Sequence, residues 1–153
     1  MSPDTLGRAA IREVPTLAAD EPVTAALKAL LAARLPALPI VRADGEFLGI
    51  FGEREFINAV FPGYLGTLRS AAFVPHDIDD VIDRRLECGQ DPVSKYANTE
   101  RIAVGADYSD AQLAETFLHH RVLIIPILEN RRVVAIVTRA DFFEALATRF
   151  LDR

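Results

Sequence analysis

Thr138, Arg139 and Asp141 place a hydroxyl, a guanidinium and a carboxylate within four consecutive positions, where an apolar run ends and a helical pattern begins. The free backbone N–H groups of a helix start make a seat for an anion such as phosphate, and the Thr138 hydroxyl and the Arg139 charge would complete it. The Asp141 carboxylate is suited to accepting hydrogen bonds from a pair of hydroxyls. A threonine followed three residues later by an acid is also how a helix caps its own N-terminus with no ligand at all. Both readings stand at this level.

The remaining chemically capable side chains point to no reaction. His119 and His120 adjoin near the end of a helical pattern, where a cation interacts favourably with the helix dipole, and nothing at metal-ligand spacing accompanies them. His76 is isolated beside Pro75. Asp77, Asp79, Asp80 and Asp83 crowd one stretch but lack the glycine and terminal glutamate of a calcium loop; they read as the solvated face of a helix whose other side carries Ile78, Val81, Ile82 and Leu86. Cys88, the single cysteine, cannot close an internal disulfide and fits a reducing compartment. Its neighbours Glu87 and Gly89 offer no base to activate a thiol.

The elements that must position Thr138 and Asp141 occur twice. Leu6 to Val41 lies over Val93 to Leu128 without a gap, so that Ala10/Ala97, Glu13/Glu100, Asp20/Asp107, Leu31/Leu118, Arg34/Arg121 and Pro39/Pro126 coincide. One turn residue is lost in the second copy, after which Ile50/Ile136, Glu55/Asp141 and Phe56/Phe142 align. Each copy predicts a short strand, an amphipathic helix, an apolar strand containing proline, a turn, a second strand and a closing helix. Helix α-patterns carry Ala26, Leu27, Leu30 and Leu31 in one copy and Leu113, Phe117 and Leu118 in the other, with Ser109 and Gln112 as a capping box. Phe142, Leu146 and Phe150 give the last helix a core-facing side. The expected fold is α+β (mixed α/β): two pseudo-symmetric β-α-β-β-α repeats at 6–60 and 93–150, separated by a partly helical insert at 61–92, packed as one body with a cleft at the join.

Composition agrees with a single packed unit. Half of the 153 residues are apolar, enough for a real core. The net charge of −5 is spread over mixed-sign segments, which leaves no footprint for nucleic acid or an anionic membrane. No apolar run approaches the roughly 20 residues needed to span a bilayer, and Met1 to Thr5 shows no export signal, so a soluble cytoplasmic protein is expected.

The run Arg121 to Leu128, a turn, and Val133 to Phe142 resemble the cystathionine β-synthase (CBS) domain, as do Arg34 to Val41, Asp44-Gly45 and Leu48-Gly49-Ile50 in the first copy. A tandem pair of such domains is a Bateman module. The resemblance implies a non-catalytic regulatory unit, cytoplasmic and homodimeric, that needs no cofactor and binds AMP, ADP, ATP or S-adenosylmethionine between its copies, passing a signal to a regulated protein. In that register Thr138 and Arg139 face phosphate and Asp141 the ribose. The backbone around Ile124 and Ile125, with the ring of Pro126, walls the purine, and Ala103 leaves room for it. The corresponding first-copy positions are Thr16, Ala37, Pro39 and Glu55. The first copy departs from the pattern at Gly52-Glu53-Arg54-Glu55, which lacks a hydroxyl where Thr138 stands and sets Glu53 near any phosphate. The alternative expectation is a dimerisation or interaction scaffold that binds no ligand.

Overall fold

The computed structural model describes residues 11–12, 14–61 and 77–153; the start of the first repeat at 6–10 and the insert residues 62–76, His76 among them, lie outside the described residues. The chain order is β1 (Ile11–Arg12), β2 (Leu17–Ala18), α1 (Val23–Ala33), β3 (Ala37–Val41), β4 (Phe47–Gly52), α2 (Glu53–Val60), α3 (Ile78–Arg85), β5 (Val104–Gly105), α4 (Asp110–His120), β6 (Ile124–Glu129), β7 (Arg132–Thr138) and α5 (Arg139–Leu151). Two 3₁₀ turns, Leu86–Gln90 and Val93–Lys95, lie between α3 and β5.

The repeats form two small sheets of matching topology. In one, β2 runs parallel to β3 and β3 antiparallel to β4; in the other, β5, β6 and β7 repeat that order. Gly45, at φ +90°, closes the first hairpin in a conformation that glycine adopts without Cβ strain. The second hairpin is one residue tighter, with Asn130 and Arg131 both at positive φ, the turn whose twist matches paired strands.

The strands are almost continuously apolar because both their faces are buried. On β3, Leu38 and Ile40 face the helices of the first repeat; on β6, Ile125 and Ile127 face those of the second. The alternate residues Ala37 and Ile124 join Phe47, Ile50 and Ile136 in a third cluster between the sheets. Side-chain period two thus divides each strand between a repeat's own core and the common one.

Leading segments are exchanged between repeats. Ile11–Arg12 pairs antiparallel with β7 of the second sheet. Asn98, leading into the second repeat, makes two backbone hydrogen bonds with Ile50 of β4, at 2.8 and 2.9 Å. Gly49 permits that approach, since a Cβ there would sit 2.4 Å from the Asn98 carbonyl oxygen. Val93 is wholly buried in the first repeat's core.

Helix packing corrects part of the sequence expectation. Ala26, Leu30, Leu113, Phe117 and Phe142 are buried as expected, and Ser109 Oγ accepts from the Gln112 N–H at 3.1 Å. Leu31, Leu118, Leu146 and Phe150 are instead exposed, and on α3 only Val81 of the expected stripe is buried. A helix resting on so small a sheet covers a narrow stripe, which excludes side chains one position around the helix from it.

Candidate functional site

Two corners where a strand gives way to a helix dominate the sequence reading. At the second, Thr138 ends β7, opposite Ile124 in register, and caps α5: its Oγ1 accepts from the Asp141 N–H at 3.0 Å. Thr138 is buried, Asp141 half-buried and Arg139 exposed. Ile124, Ile125 and Pro126 are buried within β6, and Ala103, just before β5, packs on the inter-sheet cluster with Ile124 and Ala37. Thr138 thus stands beside Ile124, which packs with Ala103, whereas the Ile125 side chain faces the second repeat's own core.

The first corner is built differently. The Glu53 N–H donates to the Pro36 carbonyl at 2.9 Å, matching the Arg139 N–H to the Leu123 carbonyl, also 2.9 Å. At Gly52, however, an added Cβ would lie 2.3 Å from the Pro36 oxygen and 2.5 Å from the Ala37 Cβ. The missing hydroxyl thus follows from close packing of β3 against the end of β4. Pro39 is buried in β3, and Thr16 is exposed ahead of β2 and lines no part of the cavity described next.

A polar cavity of about 570 Å³ opens at Glu55. Its walls come from both repeats: Arg54 and Glu55 from the first turn of α2, Asn98 from the segment between repeats, and His119, His120 and Arg121 from the end of α4. A narrower recess continues from Glu55 past Ala37 to Leu123. Arg121 takes the left-handed conformation, φ 52°, where α4 turns into β6, and its carbonyl accepts from Arg54 Nη1 at 3.1 Å. That bond ties the two repeats across the cavity.

Burial raises the Glu55 pKa above the ordinary glutamate range, against the lowering effects of its own and the Gly52 backbone N–H groups and of the Arg54 charge. Two guanidinium groups therefore stand near two carboxylates, Glu55 and Glu100. Such a wall suits a ligand with an anionic end and a hydroxyl-bearing end. Glu53, expected near a phosphate, is exposed and absent from this lining, where Arg54 stands.

Arg54, Asn98, His119, His120 and Arg121 were missed as site residues in the sequence. The antiparallel β6–β7 pair sets Arg121, which precedes β6, near Arg139, which follows β7, but no local signal brings Arg54 of the other repeat to it.

The CBS-domain family profile matches residues 6–62 and again 93–148. The chain belongs to the CBS-domain family. It carries a tandem CBS pair, and solved CBS structures share its fold. The CBS-domain protein of Agrobacterium tumefaciens is 24% identical, with a TM-score of 0.67 over 88% of this chain and 85% of that one. The CBS domain of a membrane protein from Sphaerobacter thermophilus is 21% identical, with a TM-score of 0.66 over 88% and 82%. CBSX2 in complex with AMP is 14% identical, with a TM-score of 0.67 over 97% and 98%. No curated protein matches the chain in sequence. Among the described residues, no helix is long and apolar enough to cross a membrane.

Proposed function

We propose that this CBS pair is a non-catalytic regulatory module that binds an adenosine-containing ligand, AMP, ADP, ATP or S-adenosylmethionine, between its repeats and relays a conformational change to a partner protein. The observation that carries this reading is the cavity at Glu55, walled by an acid of the first repeat and by Arg121, His119 and His120 of the second. The ribose hydroxyls would meet Glu55, and an anionic or cationic tail would choose between the arginine and glutamate sides. The AMP bound by CBSX2 supports the ligand class. The Thr138 corner, with Asp141, Ile124 and Ala103, is the proposed second seat.

A ligand touching both repeats shifts their relative arrangement only by its difference in affinity for two arrangements. The Arg54 to Arg121 bond is the contact such a shift would break or tighten. We also propose that two copies associate through α4 and α5, whose exposed Leu118, Phe143 and Phe150 favour a homodimer. The same face supports a second reading, a ligand-free scaffold.

Isothermal titration of folded, nucleotide-free protein with each of the four ligands separates these readings. Micromolar binding by at least one, weakened in Glu55→Gln or Asp141→Ala, is expected and assigns the seat. Absence of heat from all four leaves the scaffold.

A further inference from the structure

On the first repeat, helices α1, α2 and α3 diverge around a second cavity, of about 370 Å³, that shares no residue with the polar cleft. Its walls are almost wholly apolar, formed by Leu27 of α1, Ile57 and Val60 of α2, and Ile78 and Ile82 of α3. Isoleucines on neighbouring helices ordinarily close on one another, yet Ile57, Ile78 and Ile82 are 58%, 57% and 43% exposed. Contiguous apolar surface of this kind marks a binding surface, and the volume lies within the range of small-molecule sites, roughly 300 to 1,000 Å³.

Among the described residues, one charged side chain, Arg85, borders the slot. Arg85 donates from Nε and Nη2 to the Ala59 carbonyl at 3.0 and 2.8 Å, which fixes its guanidinium across the C-terminal end of α2. The acceptor is neutral, and among the described residues no carboxylate forms an ion pair with Arg85. Asp91, which feels the Arg85 charge, is itself held by Tyr96 and Lys95. A fixed cation at the edge of an apolar slot selects a ligand with an anionic head and an apolar body.

We propose that this cavity binds an amphipathic monocarboxylate, its hydrocarbon body between α2 and α3 and its carboxylate on Arg85. The test is calorimetric titration of the full chain with straight-chain carboxylates from hexanoate to dodecanoate. Affinity is expected to rise about four-fold per added methylene until the chain outgrows the slot. Replacing the carboxylate by a primary alcohol, or Arg85→Gln in the protein, is expected to weaken binding about ten-fold. Ile82→Asp is expected to abolish it while nucleotide titration is unchanged, which also shows that the variant is folded. Bound ligand slows alkylation of Cys88, whose residue lines the slot. The proposal is overturned if affinity does not depend on chain length, if the alcohol binds as tightly as the acid, or if both variants bind as the parent does. Protection of Cys88 that grows with protein concentration, without ligand, would mean that a second copy fills the slot, and also overturns it.

Discussion

Glu55 occupies a position where binding and folding pull in opposite directions. Its carboxylate lines the cleft and is half-buried, and burial raises its pKa despite nearby N–H groups and Arg54. A raised acid pKa means that the folded chain holds the proton more tightly than the unfolded chain. Its stabilising contribution is therefore full at acid pH and lost as pH rises through the folded pKa. Glu55→Gln is accordingly expected to melt higher than the parent at about pH 7, with the difference vanishing towards about pH 4, in paired thermal melts. The same variant is expected to bind the adenosine ligand about ten-fold more weakly, because an amide is a poorer acceptor for two hydroxyls. A stability gain joined to a binding loss marks a ligand seat; a loss of both would mark a structural residue.

At the scale of elements, the two strand-to-helix corners show why repeats of matching topology carry different chemistry. Thr138 leaves β7 with ψ 150° and uses its hydroxyl as a cap, whereas Gly52 leaves β4 with ψ −155°, against Pro36 and Ala37. Gly52→Thr is thus expected to destabilise the fold by about 1–3 kcal/mol in urea titrations rather than restore a second seat. Thr138→Ala is expected to cost about 1 kcal/mol by loss of the cap, measured the same way. The repeat architecture was legible in the sequence because the doubled order of elements and the Ser109 cap are local signals. Which helix face is covered was not: Leu31, Leu118, Leu146 and Phe150 continue apolar stripes yet are exposed, because periodicity identifies a stripe but not its width or what lies against it. The cleft at Glu55 was only partly legible, since Arg54 and Arg121 come from different repeats and meet only once the leading segments have been exchanged.

For the whole molecule, pseudo-symmetry identifies the surface that should meet a second copy. On the first repeat, α2 packs beside α3. The corresponding surface on the second repeat is α5, where Phe143 is 68% and Phe150 76% exposed. These phenylalanines lie seven residues apart, two turns along one side of the helix, with Leu146 between them. Antiparallel pairing of two α5 helices about a two-fold axis near Leu146 would set Phe143 of one copy against Phe150 of the other. It would also bring Glu144 of one opposite Arg149 of the other, a charge pairing of the kind a self-complementary isologous contact uses. The parent is therefore expected to scatter light as a dimer of the 16.8 kDa chain. The double variant Phe143→Glu, Phe150→Glu should elute as a folded monomer, because both side chains lie outside the core. Raised salt should leave the parent dimer largely intact, since its attraction is mainly apolar and screening acts only on the flanking charges. A monomeric parent, or a double variant that remains dimeric, would remove α5 as the contact and leave its apolar side for a different protein.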